Sequence, residues 1–146
     1  MWELPLEGDR KPVLVLHGHG AWGDGKFSPD GKWIAYQSDE SGQDEIYVQG
    51  YPSSGGKWQV SSRGGSRPKW SRDGTELFFI PQFNSHTILA ARMRTTGTRI
   101  QSDTPSELVA TRPFPGIDSP YDVTPDGQHF LVLEPPESER SPPLTV

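Results

Sequence analysis

The chain has 146 residues and a hydrophobic fraction of 32%, enough for one domain with a substantial core, and its 16 glycines and 15 prolines weigh against a helical bundle. A net charge of -5 leaves no basic footprint for nucleic acid or an anionic membrane surface. With no cysteine there are neither disulfides nor thiolate metal sites, and 10% aromatic content argues against disorder.

The first apolar runs, Trp2-Glu3-Leu4-Pro5-Leu6 and Val13-Leu14-Val15-Leu16, are expected to be short strands. The opening MWELPLEGDRKP does not have the form of a signal peptide, and no stretch reaches the length of a membrane-spanning helix. The expected compartment is therefore cytoplasmic, or periplasmic if the chain belongs to a longer exported protein. In His17-Gly18-His19-Gly20, two histidines at i, i+2 of a strand would point the same way. No third ligand is near in sequence, so a connecting loop without metal is expected. GAWGDGKF (20–27) approaches the phosphate-loop pattern, but Phe27 stands where a Mg²⁺-binding hydroxyl belongs and no helix follows. No nucleotide or other cofactor is implied.

Residues 27–36 read F-S-P-D-G-K-W-I-A-Y, and the pattern returns as W-S-R-D-G-T-E-L-F-F at 70–79 and V-T-P-D-G-Q-H-F-L-V at 123–132. Each copy has an apolar residue (Phe27, Trp70, Val123), a hydroxyl (Ser28, Ser71, Thr124), one variable position, Asp-Gly and an apolar run. Asp30, Asp73 and Asp126 lie 43 and 53 residues apart. Proline presets φ at the first central turn position, Asp bonds nearby N–H groups, and Gly takes the positive-φ position leading into the next strand. Each copy is thus expected to be a hairpin, with Arg72 replacing proline at no loss of an obligatory contact. The runs Trp33–Tyr36, Leu77–Ile80 and Phe130–Leu133 do not alternate, and are expected to be strands buried on both faces.

Further strands are expected at Glu45–Val48 and Lys57–Val60 after the first hairpin, and at Thr87–Ala91 and Ser106–Val109 after the second. Asp39, Glu40, Asp44 and Glu45 crowd the turn before one of them. Their spacing is not that of a calcium loop, so a solvated hairpin turn is expected. Four strands per unit of about 40 to 45 residues is the pattern of a β-propeller blade. The longer second interval leaves room for a connection around Thr111–Gly116.

FSPDGKWIAYQSDESGQDEIYV and KWQVSSRGGSRPKWSRDGTELFF resemble the TolB-like, WD-type propeller repeats of bacteria. The nearest likeness is to the C-terminal blades of propellers attached to bacterial serine/threonine kinases. The resemblance covers nearly the whole chain and implies an all-β propeller portion of about three four-stranded antiparallel blades. Residues 1–20 would be the outer strands of a split blade, 21–63 and 64–110 two full blades, and 111–146 the inner strands of a split or truncated one, ending in Pro143–Val146. Three blades are fewer than a ring needs. The chain is thus expected to be part of a longer propeller, or to form a head-to-tail homodimer closing a six-bladed ring.

There is no G-x-S-x-G elbow, Gly64-Gly65-Ser66-Arg67-Pro68 lacks the closing glycine, and neither H-R-D nor D-F-G occurs. The expectation is a non-catalytic module that binds protein or peptide at the channel mouth. The alternative is an accessory propeller of an enzyme, as sensor of a kinase or gate of a prolyl-oligopeptidase-like peptidase. By repeat position, the segments entering the first strands are Trp22-Gly23-Asp24, Ser66-Arg67-Pro68-Lys69 and Asp118-Ser119-Pro120-Tyr121. Candidate partner-binding residues are Trp22, Asp24, Arg67, Lys69, Asp118 and Tyr121, a mixture suited to protein contacts. His86 and His129 fall into no pattern.

Overall fold

All three Asp-Gly repeats close the same hydrogen-bonded loop. In the first, Ser28 Oγ donates to Asp30 Oδ1 (2.6 Å) and accepts from the Trp33 N–H (3.0 Å), while Asp30 Oδ1 also takes the Lys32 N–H (3.1 Å). Ser71, Asp73, Thr75 and Glu76 repeat these bonds, in the same order, at 2.7, 2.9 and 3.0 Å. Thr124, Asp126, Gln128 and His129 repeat them at 2.5, 3.0 and 3.0 Å. Gly31, Gly74 and Gly127 sit at φ 69°, 71° and 70°, which a residue with Cβ enters only under strain. Arg72 uses the N–H that a proline would lack to reach Pro125 O of the next turn (3.1 Å), so consecutive turns are tied together.

The computed structural model describes residues 1–16, 20–52, 56–81, 87–110 and 121–134, and every regular element among them is a β-strand. Strands β1 (Trp2–Glu3) and β2 (Val13–Leu14) form a short antiparallel pair. β3 (Trp22–Phe27), β4 (Trp33–Ser38), β5 (Glu45–Gly50) and β6 (Lys57–Gln59) follow as a four-stranded antiparallel meander. A second meander begins with β7 (Ser66–Trp70), β8 (Glu76–Ile80) and β9 (Thr87–Thr96). Its outer edge is made by β10 (Arg99–Ser102) and β11 (Ser106–Ala110), both antiparallel to β9. β12 (Tyr121–Val123) and β13 (Phe130–Val132) form the last hairpin.

Side-chain alternation sorts these strands into a stack. Trp33 and Ala35 of β4 and Ile46 and Val48 of β5 meet Leu77 and Phe79 of β8 and Ala91 and Met93 of β9, so the two meanders pack face to face. The opposite face of the first meander, through Ile34, Tyr36 and Tyr47, covers Val15 and Leu16. On the far face of the second, Phe78, Ile80, Ile88 and Ala90 pack on Tyr121, with Phe130 edge-on to Phe78 at 5.1 Å. Leu77, Phe78 and Phe79 are fully buried, as strands covered on both sides require.

The structure departs from the sequence reading in several places, beginning with β1, which ends at Glu3 rather than reaching Leu6. β9 runs through ten residues rather than ending at Ala91, and turns at Gly97 (φ 60°) into β10, a strand absent from the reading. The fourth strand of that sheet is thereby split: Ala90 pairs with Phe78 on one edge of β9 and with Ser106 on the other, and β10 continues along the same outer edge. The break falls at Asp103-Thr104-Pro105, where proline has no N–H to give a ladder. β2 stops at Leu14, and the Val15 and Leu16 N–H groups both reach Met1 O (3.1 and 3.3 Å). Finally, Leu131 is 72% exposed, against the expectation that the third apolar run is buried on both faces. The second meander covers one face of the β12–β13 hairpin, and no described strand covers the other. Thr111–Gly116 and Pro143–Val146 lie outside the described residues.

Candidate functional site

The first strands of the two meanders carry the same irregularity. In β3, Asp24-Gly25 oppose the single residue Tyr36, and in β7, Arg67-Pro68 oppose Phe79. Each is a β-bulge, and its first residue has left-handed φ: 51° at Asp24 and 56° at Arg67. That position is normally glycine, because a side chain there costs about 1–2 kcal/mol. The two bulges are as far apart in sequence as Asp30 and Asp73, so the irregularity belongs to the repeat. In both copies the left-handed position is held by a charged residue rather than by glycine.

Between these bulges lies a cavity of about 450 Å³. Gly23 and Asp24 border it from β3, Gln37 from β4, Gln43 and Asp44 from the turn before β5, and residues 63–67 from the approach to β7. Glu45 anchors that approach. Its carboxylate, 1% exposed, accepts from Ser61 Oγ, from the Gly64 N–H (3.0 Å) and from Gln43 Nε2 (2.5 Å). Ser61 Oγ in turn accepts the Ile46 N–H (2.7 Å), and the Gly65 N–H reaches Asp44 O (2.8 Å). Glu45 therefore corrects the solvated-turn reading of 39–45. It points inward because only there do three donors converge to compensate a buried carboxylate. A Cβ on Gly65 would meet Ser61 Oγ at 2.6 Å, so the approach admits no side chain at that point.

One polar group in this wall is left over. Ser66 is buried, and among the described residues its Oγ has no hydrogen-bond partner. Arg63, two residues beyond Ser61, is exposed at the rim.

The six candidate residues fare differently. Asp24 and Arg67 come together on this cavity. Tyr121 is buried, and its hydroxyl donates to Arg67 O (2.7 Å), fastening β12 to the bulge of β7. Burial pushes the phenol up, and nearby Asp122 and Asp24 push it the same way. Lys69 spans that joint: its Nζ bonds Asp122 Oδ1 (3.0 Å) and lies 5.5 Å from the centre of the Tyr121 ring. The Lys69 hydrogen bond holds the Asp122 carboxyl below its ordinary range. Trp22 packs instead with the N-terminal cluster. Asp118, His17, His19 and His86 lie outside the described residues. Arg63, Gln37, Gln43 and Asp44 were not among the candidates; they join the site through sheet packing, and only Asp44 stood in a local pattern, the acidic turn read as solvated.

Among the described residues, no group of three or more His, Asp or Glu side chains is arranged to hold a metal, and no helix is long and apolar enough to cross a membrane. No protein-family model and no curated protein matches the chain.

Proposed function

We propose that the chain is a portion of a TolB-like, WD-type β-propeller, about three blades in extent, serving as a non-catalytic module that binds protein or peptide at one end of its first strands. The observation that carries this reading is the paired bulge, which turns Asp24 and Arg67 onto one polar cavity. Supporting it, the first strands are stitched side by side: Trp70 Nε1 donates to Lys26 O (3.2 Å) between β7 and β3, and Tyr121 joins β12 to β7. Neighbouring first strands of this kind line the channel of a propeller.

A screen of immobilised peptides tests the binding role. Retention of a peptide set by the wild-type chain, and its loss with Asp24→Ala, supports the reading; no peptide retained above background overturns it. The ends of the stack favour completion by further blades, because Trp2, Leu4 and Leu6 are exposed on one side and Leu131 and Leu133 on the other. A second copy would supply them in a six-bladed ring. Sedimentation at micromolar concentration should then give the mass of a dimer, and a clean monomer refutes the ring of two copies.

A further inference from the structure

We infer that a groove at the turn end of the first strands takes an acidic side chain of a peptide segment, whose carboxylate pairs with Lys26. The groove spans about 460 Å³ where β3, β7 and β12 run into their Asp-Gly turns, and it shares no lining residue with the cavity between the bulges. Cross-strand pairing fixes which way its side chains project, because directly opposed residues share a face of the sheet. Lys26 pairs with Ala35, which lies in the core between the two meanders, so Lys26 projects toward the second meander. Trp70 pairs with Leu77 of the same core and projects back toward the first. In the next gap, Lys69 pairs with Phe78 and Val123 with Phe130, so these two converge in the same way.

The two gaps are built alike and differ in charge. In the second, Lys69 Nζ bonds Asp122 Oδ1 (3.0 Å), a carboxylate of the next first strand. Asp122 stands at the repeat position of Lys69 itself, one residue before the apolar position of its turn. In the first gap, therefore, the next strand presents Lys69 where a carboxylate would answer Lys26. Lys26 is exposed, and among the described residues its Nζ has no hydrogen bond or ion pair. Asp122 does not stand in as its partner: that carboxyl is held below its ordinary range first by the Lys69 bond, with the charge of Lys26 a smaller influence. A ligand carboxylate would complete the first gap as Asp122 completes the second. Beside it, half-buried Trp70 has its indole N–H fixed on Lys26 O (3.2 Å) and offers a held aromatic surface to an apolar neighbour of that acid. Pro29 and Pro125 line the groove as well, so there is room for more than a lone carboxylate, which favours a peptide segment over a small free acid. Asp122 and the net charge of -5 oppose a polyanion such as nucleic acid.

Fluorescence polarisation tests the assignment with labelled, C-terminally amidated Gly-Ser-Glu-Leu-Ser-Gly, in which the glutamate is the only carboxylate. The same peptide with glutamine in its place should bind about tenfold more weakly, the scale of one charge-assisted hydrogen bond. Lys26→Met should remove that difference and Lys26→Arg should keep it. In both variants Trp70 retains its bond, which is to the Lys26 backbone carbonyl. Asp24→Ala, at the other end of the strands, should not weaken the probe. Equal binding of the glutamate and glutamine forms overturns the assignment, as does a preference that survives Lys26→Met. Absence of saturable binding up to millimolar protein also overturns it, an outcome that leaves the peptide screen at the bulges unaffected. Loss of the probe with Asp24→Ala would place it in the cavity between the bulges, and displacement by oligothymidylate at lower concentration than by unlabelled peptide would mark a nucleic-acid site; either result overturns the assignment.

Discussion

Replacing Glu45 by alanine removes the acceptor that holds the approach to β7. The Ser61 hydroxyl and the Gly64 N–H both lose a charged partner, whereas Gln43 is exposed and turns to water. A hydrogen bond to a charged group contributes about 1.5–3 kcal/mol. Two of them, offset in part by no longer burying a carboxylate, give a net loss of about 2–4 kcal/mol. Against a total stability of about 5–15 kcal/mol, that loss is large. With a urea slope of about 1–3 kcal/mol/M, the unfolding midpoint should fall by about 1–2 M. Glu45→Gln keeps an acceptor for the Gly64 N–H and should fall between alanine and wild type. A shift below about 0.3 M for Glu45→Ala would refute the claim that this carboxylate organises the approach, since even one lost bond exceeds that.

Asp24→Gly, at an exposed bulge position with φ 51°, should leave folding unchanged or improve it by up to about 1 kcal/mol, because relief of left-handed φ offsets the added freedom of the unfolded chain. Clear destabilisation by thermal melting would mean the side chain is kept for folding. Ser28→Ala and Ser71→Ala, at buried turn hydroxyls, should each cost about 1–3 kcal/mol in denaturant titrations and exceed Thr124→Val, whose turn is exposed. Asp30, Asp73 and Asp126 are held below their ordinary 3.8, first by the hydroxyls of Ser28, Ser71 and Thr124. A carboxyl lowered by folding contributes stability above its unfolded value and loses it as pH falls through the folded one. Melting temperature should therefore drop below pH 3.8, and Asp→Asn at all three turns should flatten that drop.

The Asp-Gly turns were legible in the sequence because every bond that closes them joins residues at most five apart. The apolar runs of β4 and β8 were legible too, since a strand covered on both faces has no polar face to show. The same reasoning failed at β13. Its run looks like the other two, but burial is a property of neighbours, and only one neighbour is present among the described residues. β10 was missed because its apolar content reduces to Ile100 between polar residues, which gain an ordered strand only by lying along β9.

The candidate site divides along the same line. The segments around Asp24 and Arg67 were found from repeat position alone. Their bulges were not, because the left-handed residue is charged rather than glycine and so leaves no sequence mark. Glu45 reads as one more carboxylate in an acidic turn until the fold brings Ser61 and Gly64 to it from 16 and 19 residues away. Local hydrogen bonds are written in short stretches of chain, and the sequence by itself determined those. Which charges are buried, which strands are covered and which side chains share a cavity depend on sheets meeting face to face, and only the tertiary structure decided them.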